Sequence, residues 1–395
     1  SRQRPPDRLR PLELKNLRSP MDNTQIRVGI LRETFSGETR VALVPDAVPK
    51  LQKLGVEILI EPGAGLASGF TDEAYLAKGA KIDGAAGEAE VVIAVRPPEG
   101  ANWKAGQVLV CMMDPLGSPA AIGELSKTGV SGFALEMVPR ISRAQAMDVL
   151  SSMANVAGYK AVLLAATRSP KLFPLMMTAA GTVRPAKVFV LGAGVAGLQA
   201  IATARRLGAV VEAYDIRSDT KEQVESLGAR FVEFDLGGAE MQDAGGYAKE
   251  LTDDQKALQA KLMAEVIQAA DAVITTAQVP GRRAPRLIPE EVVDGMKPGA
   301  VVVDMAAESG GNCAYSVPDK EVNRGGVIIL GPSNLPATVG STTSQLYGQN
   351  LIAFLGLIVQ EGVISIDTED EILAAALVCR GGEITSERVR EALKN

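Results

Sequence analysis

The sequence predicts an α/β protein in which two domains are each built around a doubly wound parallel sheet. Short apolar strand patterns alternate with helical patterns from residue 26 to about residue 139, and such alternation indicates parallel βαβ units. A second series, between residues 140 and 345, contains a strand, a glycine-rich turn, a helix and another strand. A chain of 395 residues with 46% hydrophobic and 22% charged residues is long enough for two sizeable cores.

The first domain is predicted from its alternating elements, and two glycines after its second strand, Gly63 and Gly65, are interpreted as turn residues. It therefore lacks a dinucleotide fingerprint. Residues 344–395 are predicted to be mainly helical and to return to this domain, which we assign to residues 24–139 and 346–395. In order, we expect a strand at 26–31, a polar loop at 33–40, a helix at 45–54, a strand at 56–60, a helix at 71–78, strands at 90–95 and 107–112, and helices at 346–359 and 386–393.

Residues 1–23 differ in composition from the rest of the chain. The first twenty positions hold six Lys or Arg, two acids and four prolines, and they lack the apolar stretch of a secretory signal. We expect a disordered extension or a vector-derived sequence. An organelle presequence is the alternative, although its amphipathic helix would fit poorly with the prolines.

Overall composition limits the possible partners. A net charge of −6 argues against a nucleic-acid partner. The longest strongly apolar run, residues 351–359, is too short to span a bilayer, so we expect no direct membrane insertion. Cys111, Cys313 and Cys379 are scattered, which suggests neither a disulfide framework nor a metal cluster and fits a reducing, cytoplasmic setting.

The most informative stretch covers residues 187–217. Gly192, Gly194 and Gly197 follow a predicted strand at 187–191 and open a predicted helix at 195–207, and Asp215 ends the next strand, 23 residues after Gly192. This context turns a weak G-x-G-x-x-G match into a strong prediction of a dinucleotide site. Gly192 permits the tight turn, Gly194 lets a pyrophosphate approach the backbone, and Gly197 lets the helix lie close to the strand. The helix N-terminus then faces the phosphates.

Asp215 is predicted to select between the two nicotinamide dinucleotides. A carboxylate accepts from both hydroxyls of an adenosine ribose, whereas a 2′-phosphate meets a like charge. At ~4 Å that repulsion is about 1 kcal/mol in water and about 4 kcal/mol at an effective dielectric near 20, a preference for NAD of about fivefold to several hundredfold. Arg217, two residues on, can soften this preference. The alternative, a glycine-rich turn without a ligand, fits less well because glycines, flanking elements and acid agree.

A second informative stretch is PRISRAQAMDVLSSMAN, residues 139–155. Ser142 followed by Gln145 is a capping box, which predicts a helix from Ser142 to about Arg168 that joins the two domains. From composition alone, capping and solvation of polar first-turn residues explain this stretch better than a binding role. The polar side chains that crowd the predicted helix start are Arg140, Arg143, Gln145, Asp148, Ser151 and Ser152.

The rest of the second domain alternates strands and helices around a long polar insertion. The insertion contains Gly245, Gly246 and Tyr247, and it is either a mobile flap or a surface excursion. Thr275, Thr276 and Gln278 lie at or just past the carboxyl end of a strand, where open α/β sheets bind ligands, although capping or turn roles are equally possible. The predicted elements are helices at 220–227 and 255–270 and strands at 230–233, 272–276, 300–304 and 326–330.

The sequence contains no histidine. Many dehydrogenases that oxidise an alcohol or amine use histidine to take the substrate proton, since its pKa lies near the working pH. Lysine, tyrosine or a carboxylate can substitute, so the absence does not exclude such chemistry. It favours a reaction in which no proton is transferred at the substrate.

Several of these stretches together resemble one family. GAGVAGLQAIATARRLGAVVEAYDIR, MVPRISRAQAMDVLSS, EQVESLGA, AGGYAKE, ITTAQVPG and GGNC are similar to the NAD(H)-binding component of proton-translocating nicotinamide nucleotide transhydrogenase. More broadly, residues 24–395 resemble the alanine dehydrogenase and transhydrogenase superfamily. The resemblance implies two Rossmann-like domains with a cleft between them, in which NAD(H) binds mainly to the second domain.

The resemblance also implies roles for individual residues. Arg140, Gln145, Asp148 and Ser151 would hold the nicotinamide end and face a partner's NADP(H), and Tyr247 would close over the bound nucleotide. The residues expected to bind the cofactor are Ile141, Ser142, Arg143, Gly192, Ala193, Gly194, Val195, Gly197, Asp215, Ile216, Arg217, Gly246, Tyr247, Thr275, Thr276 and Gln278.

The family's component is a homodimer that docks on an NADP(H)-binding domain of a membrane-embedded partner. Hydride passes directly between the nicotinamides, and the partner couples this transfer to proton translocation. The resemblance therefore implies NAD(H) on this chain, NADP(H) and the membrane spans on partner subunits, and a location on the cytoplasmic face of the inner membrane. Transfer between two nicotinamides moves no substrate proton, which agrees with the lack of histidine.

Two alternatives remain. An amino-acid dehydrogenase of the alanine type is the first, and Arg40 of its substrate site is present here. However, its substrate histidine is replaced in the segment 108–118, where Met112 and Asp114 lie near that position, and its lysine falls on or near Arg96. A non-catalytic NAD sensor or scaffold is the second alternative.

Overall fold

The computed structural model describes residues 25–236, 252–279 and 281–394. Strands and helices alternate along most of the chain, as predicted. The strands are β1 (Arg27–Ile30), β2 (Glu57–Ile60), β3 (Lys81–Ile82), β4 (Val91–Ile93), β5 (Val108–Cys111), β6 (Ser131–Ala134), β7 (Met176–Thr178), β8 (Gly181–Val183), β9 (Lys187–Leu191), β10 (Val210–Tyr214), β11 (Arg230–Phe231), β12 (Ala272–Thr275), β13 (Val301–Asp304), β14 (Glu321–Arg324), β15 (Val327–Leu330), β16 (Val359–Gln360), β17 (Val363–Ile364), β18 (Leu377–Arg380) and β19 (Glu383–Ile384).

Helices cover the sheets and link them. The α-helices are α1 (Val48–Gln52), α2 (Asp72–Leu76), α3 (Pro119–Lys127), α4 (Val149–Arg168), α5 (Val195–Arg206), α6 (Lys221–Ser226), α7 (Asp253–Ala269), α8 (Glu290–Asp294), α9 (Gly340–Ile358), α10 (Glu371–Ala376) and α11 (Glu387–Ala392).

The first sheet has the strand order β19-β18-β6-β5-β4-β1-β2-β3. Its strands from β6 to β3 pair in parallel, whereas β18 pairs antiparallel with both β6 and β19. The expectation that residues 344–395 are mainly helical is therefore wrong for β16 to β19. In the sequence, α10 and β18 form one apolar run, ILAAALVC, and periodicity cannot separate a short buried strand from a helix in such a run.

The second sheet has the order β11-β10-β9-β12-β13-β15-β14, and all its neighbours are parallel except β14 and β15. Counted within this domain, the order begins 3-2-1-4, so the direction of winding reverses between β9 and β12. Open α/β sheets bind ligands in the crevice outside such a reversal point. The predicted fold class, α/β with two Rossmann-like doubly wound sheets, is confirmed.

Helix α4 connects the two cores. Val149 and Met153 near its start pack in the core of the first sheet, whereas Ala157, Ala161 and Ala165 pack in the core of the second. By length and composition alone this helix could cross a bilayer. A helix that packs in a protein core can be equally long and apolar, and the packing of α4 in both cores accounts for its apolar character.

Helix α4 begins later than the capping box at Ser142 predicts. Residues Ser142–Met147 form a 3-10 helix whose start has no side-chain cap, and the N-cap of α4 is Asp148. The Asp148 carboxylate accepts hydrogen bonds from both the backbone N–H and the hydroxyl of Ser151, at 2.9 and 2.5 Å. Helix α4 starts at Asp148 because this charged cap accepts both donors of Ser151 at once.

Candidate functional site

The turn between β9 and α5 requires two of its glycines for internal packing. Gly192 has a φ of +100°, and a Cβ there would lie 2.4 Å from the Thr276 hydroxyl oxygen. A Cβ on Gly197 would lie 1.8 Å from the Gly192 carbonyl oxygen, so the first turn of α5 lies directly on the strand end. Both positions match the roles that the sequence motif predicts for them.

Gly194 has no such internal reason to be glycine. Its φ and ψ are −75° and −169°, which other residues adopt freely, and no heavy atom of the described residues lies within 4 Å of where its Cβ would be. This open space lies at the N-cap of α5, where the first backbone N–H groups have no intrahelical acceptor and the helix dipole favours an anion. The missing side chain therefore leaves room for a group from outside the chain.

Asp215 lies at the carboxyl end of β10, beside this turn. Its carboxylate accepts the backbone N–H of Ala193 at 2.7 Å and is bound by the guanidinium of Arg217. Burial alone would raise the pKa of Asp215, but the hydrogen bonds from Arg217 and Ala193 hold it below its ordinary value. Ile216 is 88% exposed, so an apolar side chain stands uncovered next to the carboxylate.

The three side chains at or just past the end of β12 that are expected to bind the cofactor form hydrogen bonds within the chain. Thr275 is fully buried and donates to Asp304 at 3.0 Å. Thr276 donates to the carbonyls of Leu191 and Gly192, and the Gln278 amide donates to the Met305 carbonyl at 2.6 Å. Thr276 thus fastens the glycine turn to the end of β12, whereas Thr275 and Gln278 bind the end of β13.

Asn312 has no role predicted from the sequence. It is fully buried, and its amide group donates to the carbonyls of Ala277 and Pro285 and accepts the Ala277 N–H. It thereby holds both ends of the loop after β12. Its only signal in the sequence is its place in the motif GGNC.

The polar segment before α4 divides into two groups. Arg140 and Gln145 are exposed, and neither has a side-chain partner within residues 25–236, 252–279 and 281–394. Asp148 and Ser151 are half-buried and bind each other as the cap of α4. A ligand could thus engage the first pair directly and the second pair only alongside their capping bonds.

The remaining expected residues of this segment face the first domain or the solvent. Arg143 is drawn to the start of α10, where its guanidinium binds Asp370 at 2.7 Å and lies 3.8 Å from Glu371. Ile141 packs against the first core, and Ser142 is exposed. Gly246 and Tyr247 lie outside the described residues.

Helix α4 relates this segment to the glycine turn. A Cβ on Gly158 would lie 2.1 Å from the carbonyl oxygen of Ala196, so α4 touches the first turn of α5. Asp148 precedes Gly158 by ten residues, which is about 15 Å along a helix that rises about 1.5 Å per residue. One helix therefore sets the distance between the exposed polar segment and the glycine turn.

The first domain contributes a buried ion pair at the junction. Arg40 and Glu38 are almost fully buried, and the guanidinium binds the carboxylate through two nitrogens at 2.7 Å. Asn334, from the segment between the sheets, bonds to both side chains, and the third Arg40 nitrogen, Nη1, contacts the sulfur of Met153. Arg40 thus has its polar partners within the chain.

Beside this pair is a small cavity of about 240 Å³. Glu33 and Glu38 contribute carboxyl groups to its wall. Burial raises the pKa of Glu33 to about 7, against the opposing effect of the Val95 and Arg96 backbone N–H groups. The lining residues are Arg32, Glu33, Glu38, Arg40, Gly63, Ala64, Leu66 and Ala67.

Arg96, which falls near the substrate lysine of the alanine type, lies outside that lining. Its guanidinium contacts Glu38 at 3.4 Å and stacks over the ring of Phe35, 4.3 Å from the centroid. Asp114 has a φ of +46° and receives the Gly117 N–H. Arg96 therefore reaches the Arg40–Glu38 pair through Glu38, and its charge also acts on Asp114.

The two sheets, the reversal point and the glycine turn define the class as a two-domain α/β protein of the Rossmann type. The chain belongs to the alanine dehydrogenase/PNT family, because residues 29–157 match that family's N-terminal domain and residues 161–387 its C-terminal domain.

Individual relatives place the chain more closely. It is 45% identical to the first portion of NAD(P) transhydrogenase subunit alpha from Rhodospirillum rubrum, over 91% of this chain and 97% of the relative. It is 30% identical to alanine dehydrogenase of Mycobacterium tuberculosis over 92% of this chain and 96% of that one.

Among solved structures, too, a transhydrogenase is more similar to this chain than an alanine dehydrogenase is. The crystal structure of a transhydrogenase from Sinorhizobium meliloti is 45% identical, with a TM-score of 0.82 over 91% of this chain and 99% of the other. An L-alanine dehydrogenase is 25% identical, with a TM-score of 0.78 over 93% and 99%. The predicted resemblance to the transhydrogenase component is confirmed.

Proposed function

We propose that this chain is the NAD(H)-binding subunit of a proton-translocating NAD(P) transhydrogenase. In this proposal, NADH held by this chain donates hydride to NADP⁺ held by a partner subunit. The observation that carries the proposal is Gly194, whose missing side chain faces open space at the start of α5 and serves no packing purpose among the described residues. The similarity to transhydrogenase subunits at 45% identity supports the choice of reaction.

The residues present fit a dinucleotide. The N–H groups at the start of α5 would receive the pyrophosphate, Asp215 would accept the adenosine ribose hydroxyls, and the exposed face of Ile216 would receive the adenine. At the other end, Arg140 and Gln145 offer free polar groups to the nicotinamide. Bound NADH would supply the hydride, and the chain's own task is to fix the ring and to exclude water.

The first domain gives this chain no obvious means of oxidising an amino acid. The chain has no histidine, and Arg40 is bound by Glu38, Asn334 and Met153. These contacts favour a half-site whose hydride acceptor is carried by another protein.

The proposed assembly is a homodimer docked on the NADP(H)-binding and membrane-spanning subunits, at the cytoplasmic face of the inner membrane. The hairpin of β7 and β8 supports dimer formation, because residues 175–184 are all exposed and include Leu175, Met176, Met177 and Val183. An isolated two-stranded hairpin is only marginally stable in water, so this one gains from a partner surface.

Substitution of Gly194 by alanine tests the proposed nucleotide site. The new methyl group meets nothing in the described chain but enters the space assigned to the pyrophosphate, so Tm should stay within about 2 °C while NADH affinity falls at least about tenfold, or about 1.4 kcal/mol. Gly356→Ala in α9 is the matched control, since its Cβ also meets nothing within 4 Å. It should leave affinity unchanged.

The measurements are NADH titration by equilibrium dialysis and thermal unfolding of both variants. Unchanged NADH affinity in Gly194→Ala would contradict the site. Turnover of alanine and NAD by the purified chain alone would instead favour the alanine-type dehydrogenase. Tight NADH binding without hydride exchange, after addition of an NADP(H)-binding transhydrogenase subunit, would favour a sensor.

A further inference from the structure

The carboxylate of Asp215 has a full set of hydrogen-bond donors from its own chain. One oxygen accepts the backbone N–H and the Nε–H of Arg217, at 2.9 and 3.0 Å. The other oxygen accepts the Ala193 N–H at 2.7 Å and the Nη2 of Arg217 at 3.1 Å. A carboxylate offers about four lone-pair positions, so these bonds leave no position free.

Two hydroxyls of an adenosine ribose need two of those positions. The bonds from Ala193 and from the Arg217 backbone belong to the turn itself and cannot leave without changing its conformation. The guanidinium of Arg217 is different, because its side chain is 55% exposed while that of Asp215 is 7% exposed. Because the Arg217 side chain is exposed and its bonds are not part of the turn, this guanidinium is the donor that a ribose can displace without changing the backbone.

We infer that Arg217 determines nucleotide specificity by competing with the ribose for Asp215 and, once displaced, by offsetting the charge of a 2′-phosphate. This inference rests on the proposed function, since it assumes a nucleotide at the turn after β9. Arg217 lowers the affinity for NAD(H), because its pair with Asp215 must break before the ribose can bind. The same guanidinium lowers the repulsion that NADP(H) would meet. Arg217 therefore reduces the preference for NAD(H) over NADP(H) that Asp215 alone would impose.

The surroundings keep the displaced guanidinium near the site. Asp219 is exposed two residues further on and acts on Arg217 through its charge. On the other side, the hydroxyl of Tyr214 accepts a hydrogen bond from the Gln259 amide at 2.7 Å, which anchors the residue before Asp215. The charges of Asp215 and Asp219 both attract the displaced guanidinium and so favour a position close to the ribose.

Arg217→Ala, Arg217→Lys and Asp215→Ala test the inference through the dissociation constants of NADH and NADPH. Arg217→Ala should bind NADH about two- to fivefold more tightly and NADPH at least about threefold more weakly, as expected for loss of an exposed pair and of a neutralising cation. Arg217→Lys keeps the charge without the two parallel bonds, so it should retain NADPH affinity while NADH affinity rises.

Arg324→Ala is the matched control. Arg324 forms the same two-nitrogen pair with Asp294, at 2.8 and 3.2 Å, at the edge of the second sheet. Its loss should change neither dissociation constant.

The outcomes separate the inference from the function on which it rests. If Asp215→Ala weakens NADH binding while Arg217→Ala leaves it unchanged or weaker, the inference is overturned and the nucleotide site stands. If Asp215→Ala leaves NADH affinity unchanged, or the wild-type chain does not bind NADH, both are overturned. An equal gain in affinity for both nucleotides in Arg217→Ala would also overturn the inference.

Discussion

At the scale of single residues, Glu136 is a buried acid at the carboxyl end of the first sheet. One of its oxygens accepts the backbone N–H groups of Met113 and Asp114, and the other has no hydrogen-bond partner in the part of the chain that the structure describes. Burial raises its pKa to about 7, although the backbone N–H groups oppose this. Its protonated form is therefore favoured by folding, relative to an unfolded chain with an ordinary carboxyl pKa.

The substitution Glu136→Gln should make stability less dependent on pH. A raised pKa stabilises the fold fully below the unfolded value near pH 4.5, and this contribution is lost as the pH rises through about 7. Glutamine keeps the accepting oxygen and does not titrate. Relative to wild type, the variant should gain on the order of 1–3 kcal/mol of unfolding free energy between pH 5 and pH 8.

Denaturant unfolding of both proteins at several pH values measures this difference. Glu391→Gln, at an exposed position in α11, should show no pH-dependent difference from wild type. A constant difference between Glu136→Gln and wild type across this pH range would show that Glu136 does not carry the titration.

The residues of the glycine turn could be predicted because their partners are close in sequence. Gly192, Gly197 and Asp215 act on one another within a single strand–helix–strand unit, so their spacing is sufficient evidence. Asn312 and Glu136 could not be assigned in this way. Asn312 acts on Ala277, 35 residues away, and Glu136 acts on a strand end more than 20 residues away, so only the folded chain brings them together.

At the scale of elements, predictions that depend on nearby residues are correct, and those that depend on distant contacts are wrong. Strand β9 and helix α5 match the predicted bounds within a residue, because Gly208, with a φ of +87°, marks the helix end locally. The start of α4 was misplaced because Ser142 and Asp148 are both good caps by sequence. Met147 and Val149, which flank Asp148, are buried in the first core, and α4 begins between them with Asp148 as its cap.

Asp148 therefore has a structural role and a proposed role in hydride transfer, and Asp148→Asn separates them. Asparagine caps helices about as well as aspartate, so Tm and NADH affinity should stay near wild type. Loss of the charge beside the proposed nicotinamide site should slow hydride transfer in the complex with an NADP(H)-binding partner by at least about tenfold. Asp148→Ala removes the cap as well and should cost about 1 kcal/mol of stability.

Stopped-flow hydride transfer in the reconstituted complex, together with thermal unfolding, gives both readouts. If Asp148→Asn transfers hydride at the wild-type rate, Asp148 is only the cap of α4. If Asp148→Asn loses stability as Asp148→Ala does, the charge is needed for the helix and the transfer role lacks support.

At the scale of the whole molecule, two cores are joined by α4 and by the segment that leads into α9, while the β7–β8 hairpin extends away from both. Residues of the first two connections pack in both cores and hold the sheets together. The hairpin presents apolar side chains to solvent, with Met177 77% exposed. In a chain with otherwise well-covered sheets, such a projection is expected where a second copy packs.

Met177→Asp should therefore convert the proposed homodimer to a monomer, because a charged group would be buried at the interface without a partner. Sedimentation or light scattering over a range of concentrations measures the change. Val363→Asp is the control, since Val363 is 57% exposed in another short hairpin, formed by β16 and β17, and should leave the dimer intact. NADH affinity should persist in both variants, because the proposed adenosine end of the site consists of the glycine turn, Asp215 and Ile216 of each chain and includes neither hairpin. A dimer that survives Met177→Asp would place the interface on another surface.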